Sequence, residues 1–258
     1  MSLLKSELRK VVYARANWGL LLAAIFLSVI GVVTTPFVLG SAPGGMQIGL
    51  DTSVGVDAVY ANAISGYIMA IIIGVMLMAG EYRHGTAVAT FLTRPKREIV
   101  LVAKLGISAL VGASLMLIST WLSILSGVAI LATFEEAVSP SSDIFINLTL
   151  AAVVSGAVLG VIGVSIGALL KSQIMGIVFS LIYLFIIDPL LLVLFVDAGK
   201  FLPSGLITAM LAIEIEAPEL GLNTSSYLDP IPSALLLLGY GAVFAIIAMF
   251  TSMRRDVD

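Results

Sequence analysis

The chain contains no cysteine and a single histidine, His84. Disulfides, thiol catalysis and cysteine-type zinc sites are therefore excluded. A lone histidine in a basic loop makes neither a metal site nor half of a catalytic pair. Charge is also scarce: 11% of the 258 residues are charged, against about 25% in soluble domains. A net charge of −3 gives no electrostatic footprint for nucleic acid. No G-x-x-x-x-G-K-[ST] run is present, so this chain has no loop of its own for cradling nucleotide phosphates.

What the chain has in quantity is apolar sequence. Hydrophobic residues make up 60% of it, and the mean hydropathy is +1.14. A soluble core of this size could not hide that much apolar surface, so lipid is the expected solvent. A spanning helix needs about 20 mostly apolar residues. Six segments qualify: Asn17–Leu39, Ala61–Gly80, Ala103–Ala132, Ile146–Leu170, Ile174–Val196 and Ala234–Thr251. The expected fold is all-α and integral to the membrane. The first apolar run has spanning length and no A-x-A cleavage pattern, so it reads as a retained helix. The third is longer than a bilayer needs, and is expected to tilt or to project its Lys104 end into the cytoplasm.

Basic residues set the orientation. All 13 except Lys200 fall at the termini, between helices two and three, or between helices four and five. Both termini are thus expected in the cytoplasm. Residues 1–16 form a separate element, with Leu4, Leu8 and Val11 at i, i+4 and i+7 and Lys5, Arg9 and Lys10 on other faces. That pattern suits an amphipathic helix in the membrane interface, with a plain basic tail as the alternative. Residues 17–258 are the six-helix domain. Its external connections are an irregular Gly-rich loop at Ser41–Tyr60 and a longer segment at 197–233. In the latter, the short apolar run Leu206–Ile213 reads as a re-entrant or surface helix.

Three constellations stand out. The first is the cytoplasmic 2–3 loop, 81–100, with Glu81-Tyr82-Arg83-His84-Gly85-Thr86 followed by Thr93-Arg94-Pro95-Lys96-Arg97-Glu98. The positive-inside rule accounts for the cations. It does not account for Gly85-Thr86 and the apolar Ala87–Leu92, which look like a cap and a short helix stopped by Pro95. The second is Gly156, Gly160, Gly163 and Gly167, spaced 4, 3 and 4 on one stripe of helix four. Small residues let helices approach closely, either inside one subunit or across a dimer seam. The third is Asp188-Pro189 within helix five. A charged residue in a span is a functional candidate, and Pro189 is expected to break or kink the helix. Asp188 can line a pathway, or cap the next turn of its own helix through backbone N–H groups.

The pattern E-Y-R-H-G-T, a short helix and T-R-P-K-R resembles the signature of type-two ATP-binding-cassette exporter permeases. The resemblance extends over nearly the whole chain. It implies that the N-terminal helix is a connecting helix and that the 2–3 loop carries a coupling helix. Glu81, Tyr82, Arg83, His84, Gly85 and Thr86 would then meet a separate cytoplasmic ATPase, with Arg94, Pro95 and Arg97 ending the coupling element. It further implies two ATPase copies that bind ATP and Mg, a second permease subunit, no cofactor on this chain, and a bacterial plasma-membrane location. The expected function is export of a hydrophobic or amphipathic substrate. The alternatives are an ion-gradient-driven transporter, for which only Asp188 could serve and no internal repeat is visible, and a non-transporting assembly or immunity protein. An intramembrane hydrolase would need paired catalytic groups within the spans, and the lone His84 lies outside them.

Overall fold

The computed structural model describes residues 3–40, 49–83, 85, 97–213, 216–217, 222–223 and 227–254. These are helical apart from turns and a two-residue antiparallel pairing of Glu216–Ala217 with Leu222–Asn223. Helix α1 spans Leu3–Tyr13 and runs almost directly into α2, Arg15–Gly40. Then come α3 (Ser53–Ala61), α4 (Tyr67–Arg83), α5 (Arg97–Leu131) and α6 (Ile144–Leu170). Helix α7 (Gln173–Ile182) continues through a π-helical stretch, Tyr183–Ile187, into α8 (Asp188–Leu194). The short helices α9 (Val196–Gly199) and α10 (Pro203–Ala209) precede α11 (Pro230–Arg254).

Six helices are long and apolar enough to cross a membrane. The second of them begins earlier than expected. Residues 53–61 lie in the stretch read as an irregular loop, yet they form α3, because Thr52 caps it by accepting the Gly55 N–H at 3.1 Å. A 3₁₀ turn at Asn62–Ile64 then joins α3 to α4 as one 31-residue crossing. At 35 residues, α5 would be roughly 50 Å long, well beyond a bilayer core of about 30 Å.

Helix α6 is the centre of the bundle, packed between α4 and α5 and against α11. The glycine stripe makes this approach possible. A Cβ on Gly156 would collide with the Gly112 carbonyl of α5, one on Gly160 with the Ser108 carbonyl of α5, and one on Gly163 with the Ile71 carbonyl of α4. Gly167 faces Val75 and Met78 of α4. All four therefore sit at crossings inside this one subunit.

The consequence is an uneven bundle. The spans built on α3–α4, α5 and α6 are 67%, 56% and 67% buried within the chain, but those on α2, α7–α8 and α11 only 22% each. Exposed Phe26, Phe37, Phe185, Leu190, Val243 and Phe250 leave those outer faces to lipid or to a second subunit.

Two connections close tightly. Lys171, with φ 50°, ends α6 in the left-handed region, and Ser172 starts α7 at once by accepting the Met175 N–H. At the opposite end of the bundle, the Val138 N–H donates to the Leu50 carbonyl, the Ser141 N–H to Asp57, and Asn147 to the Leu211 carbonyl.

Candidate functional site

Among the described side chains of helix α1, Glu7 and Val11, one turn apart, are buried, while Leu8 and Val12 are exposed. Of the Leu4, Leu8 and Val11 set read from the sequence, Val11 is buried and Leu8 exposed, and the Leu4 side chain lies outside the described residues. Glu7 meets Lys104 of α5, whose Nζ donates to Glu7 Oε2 at 2.8 Å, to Glu81 Oε1 of α4 at 2.8 Å and to the Leu77 carbonyl at 3.1 Å. Lys10 Nζ bridges the same two carboxylates, at 2.5 Å to Glu7 and 3.0 Å to Glu81. Lys104, Glu7 and Glu81 are all buried, and only Lys10 reaches the surface. Four charges of balanced sign thereby join α1, the end of α4 and the start of α5. These last two are the helices between which the 2–3 loop runs.

Burial alone would push the Glu7 carboxyl upward, but Lys104 and Lys10 outweigh it and hold it below the ordinary 4.5. Burial would lower the Lys10 ammonium, but Glu7 and Glu81 hold it above the ordinary 10.5. A cavity of about 610 Å³ opens beside this network, bordered by α1, α4 and Gln173.

The loop residues separate on inspection. Glu81, expected at the contact with a motor, pairs with the buried Lys104 and the half-exposed Lys10. Tyr82 is half-buried against the cluster of Met78, Leu101 and Leu105. Arg83 is exposed and donates to Gln173 Oε1 at 3.3 Å, tying the base of the 2–3 loop to the 4–5 connection. Gly85, with φ +66°, follows α4 in the left-handed region that glycine enters without strain. His84, Thr86, Arg94 and Pro95 lie outside the described residues, as does the expected short helix 87–92. Arg97 opens α5, but its side chain is not described.

The sequence reading places Lys104 at a helix end that tilts or projects into the cytoplasm and gives Glu7 no role, whereas the structure buries both side chains. A cation inside an apolar run needs a partner, and that rule was the available signal for the network.

Asp188 sits at the other polar point of the membrane domain and is fully buried. It does cap a helix, but not its own. Its Oδ2 accepts the Ser204 N–H at 3.2 Å and its Oδ1 the Ser204 hydroxyl at 2.8 Å, at the first turn of α10. Nor does Pro189 break the span. The Asp188 N–H bonds back to the Tyr183 carbonyl, five residues earlier, so the π stretch absorbs the proline and the helix continues to Leu194.

Fold and site together define a six-span membrane subunit whose N-terminal helix is ion-paired to its second and third spans. Residues 3–187 match the family described as ABC-2 family transporter protein. The chain belongs to that family of transporter permeases, multi-pass membrane proteins that work with an ATP-binding-cassette ATPase. No curated protein sequence matches it.

Proposed function

We propose that this chain is the membrane-spanning half of an ATP-binding-cassette exporter, moving a hydrophobic or amphipathic substrate out of the cell. The observation that carries the reading beyond family membership is the buried network of Glu7, Lys10, Glu81 and Lys104. It clamps α1 to the two helix ends from which the 2–3 loop is slung. A push on that loop would therefore be delivered to α1, α4 and α5 together rather than lost in a flexible connection. Two ATPase copies and a second permease subunit complete the assembly. ATP-driven closure of the motors would switch a central cavity from inward- to outward-facing. Arg83, Gly85 and the residues that follow are the proposed surface for the motor, and Glu81 acts through Lys104. The basic-residue asymmetry supports cytoplasmic termini in a bacterial plasma membrane, with α1 lying in the interface and its exposed Leu8 and Val12 toward lipid. ATP and Mg belong to the motor.

The test is recovery of the protein from native membranes, identification of any bound ATPase, and co-reconstitution in vesicles. ATP-dependent efflux that persists when the proton gradient is collapsed supports the reading. Absence of an ATPase partner, or transport that follows the gradient and ignores ATP, sinks it.

A further inference from the structure

A second cavity, of about 340 Å³, lies within this one subunit, between α4, α6, α7 and α11. Its walls are apolar, with Ile162 and Ile166 of α6, Phe179 and Leu184 of the fifth span and Phe244 of α11. Its roof is the Leu202-Pro203 corner, which the two hydrogen bonds from Ser204 to Asp188 hold in place. Three hydroxyls line it. That of Ser180 is committed to the Gly176 carbonyl at 2.8 Å. Those of Tyr183 and Tyr240 make no hydrogen bond among the described residues. Both residues are half-buried and their hydroxyls keep accessible surface, so a guest in the cavity can reach them.

We infer that this cavity is a binding site for a neutral, largely apolar small molecule carrying one hydrogen-bonding group, held by Tyr183 and Tyr240. The volume falls at the small end of ligand pockets, about 300–1,000 Å³. Charge decides the class. No cation lines the site among the described residues, so an anion would enter an apolar cavity unpaired. Asp188 is not among the lining residues, so a cation in the cavity would have no carboxylate to contact there. A hydroxyl or carbonyl on an alkyl chain meets both needs. The π stretch places Tyr183 here. It begins at Tyr183 and widens the helix where Leu184 turns inward, buried to 3% exposure. This inference does not rest on the transport reading, because binding is measured on the chain without a motor.

The experiment uses the full-length protein in lipid nanodiscs and 3-azioctanol, a neutral alcohol bearing a photoreactive diazirine. Saturable labelling of peptides carrying residues 159–166, 179–184 or 240–244 is expected, competed by octanol and not by octanoate. Ile162→Trp, which fills the cavity, should abolish that labelling. Tyr183→Phe with Tyr240→Phe keeps the shape and should weaken it about fivefold, the worth of a typical hydrogen bond. That pair guards against a tryptophan variant that fails to fold. Labelling that does not saturate and spreads over lipid-facing Ile174, Phe185 and Phe250, or that survives both changes, overturns the site. Equal competition by octanoate overturns its neutral class.

Discussion

Glu7 with Glu81 and, elsewhere in the chain, Asp188 are buried carboxylates compensated in opposite ways. Glu7 and Glu81 share two ammonium groups, and the four charges join three helices. Asp188 is equally buried but meets only the neutral Ser204, and joins one span to a seven-residue helix. Breaking an ion pair strands a charge in a low dielectric without its counter-charge, whereas losing Ser204 takes from Asp188 only hydrogen bonds and no counter-charge. The first site is therefore a clamp and the second a latch.

The sharpest way to break that comparison is Lys104→Met. The shapes are similar, but two carboxylates then face each other with only the exposed Lys10 between them. A loss of about 3–5 kcal/mol is expected. It is read as a lower melting temperature of the purified protein and as protease release of α1. Adding Glu7→Gln and Glu81→Gln to Lys104→Met should restore much of it, since a neutral replacement removes the stranded charge. Restoration that fails while α1 stays docked would mean the helix is held by something other than this network.

Asp188→Ala tests the latch and should cost about 1.5–3 kcal/mol, with Asp188→Asn milder because an acceptor remains for Ser204. A double-mutant cycle of Asp188→Ala with Ser204→Ala should give a smaller coupling energy than one of Glu7→Gln with Lys104→Met. Equal couplings would erase the distinction between the two sites. Gly163→Ala probes the frame that keeps them apart. Its Cβ meets the Ile71 carbonyl, a backbone atom that cannot rotate away, so about 1–3 kcal/mol is expected. Gly239, which has open space around it, should accept alanine without such a clash.

What could be read from the sequence divides along the same physical line. Apolar runs of spanning length are local, and the six spans follow from them to within a few residues, except for the start of the second. The glycines of α6 share one face by helical period alone, although which helices they touch is a matter of packing. The ion network is not local: Glu7 and Lys104 are 97 residues apart, and no spacing rule connects them. Asp188 bonds Ser204, 16 residues on and in another helix, where a rule of neighbouring turns looks to its own span. The π stretch was missed for a related reason. Proline in a helix is ordinarily read as a break, and whether it bends or widens the helix depends on neighbours. Glu81 shows the same limit: its motif position gives no sign of the pairs it makes with Lys104 and Lys10.

The smallest expected effect falls on Lys10, and it sharpens the comparison by separating the clamp's core from its rim. The Lys10 side chain is half exposed, so solvent screens its pairs with Glu7 and Glu81. Lys10→Ala should cost no more than about 1 kcal/mol in stability, several-fold less than Lys104→Met. Its signature should lie in pH instead. Glu7 is held below its ordinary value, so its contribution is complete above about pH 4.5 and is lost as pH falls through the lowered value. Lys10 is held above its ordinary value, so its contribution is complete below about pH 10.5 and is lost as pH rises through the raised value. Docking of α1, followed by protease access, should thus be flat through neutral pH and fail at both extremes. Lys10→Ala should remove its part of the alkaline loss and shift the acid loss to higher pH, since Glu7 then keeps only Lys104. An acid edge that does not move would place the whole hold on Glu7 in Lys104 and reduce Lys10 to a bystander.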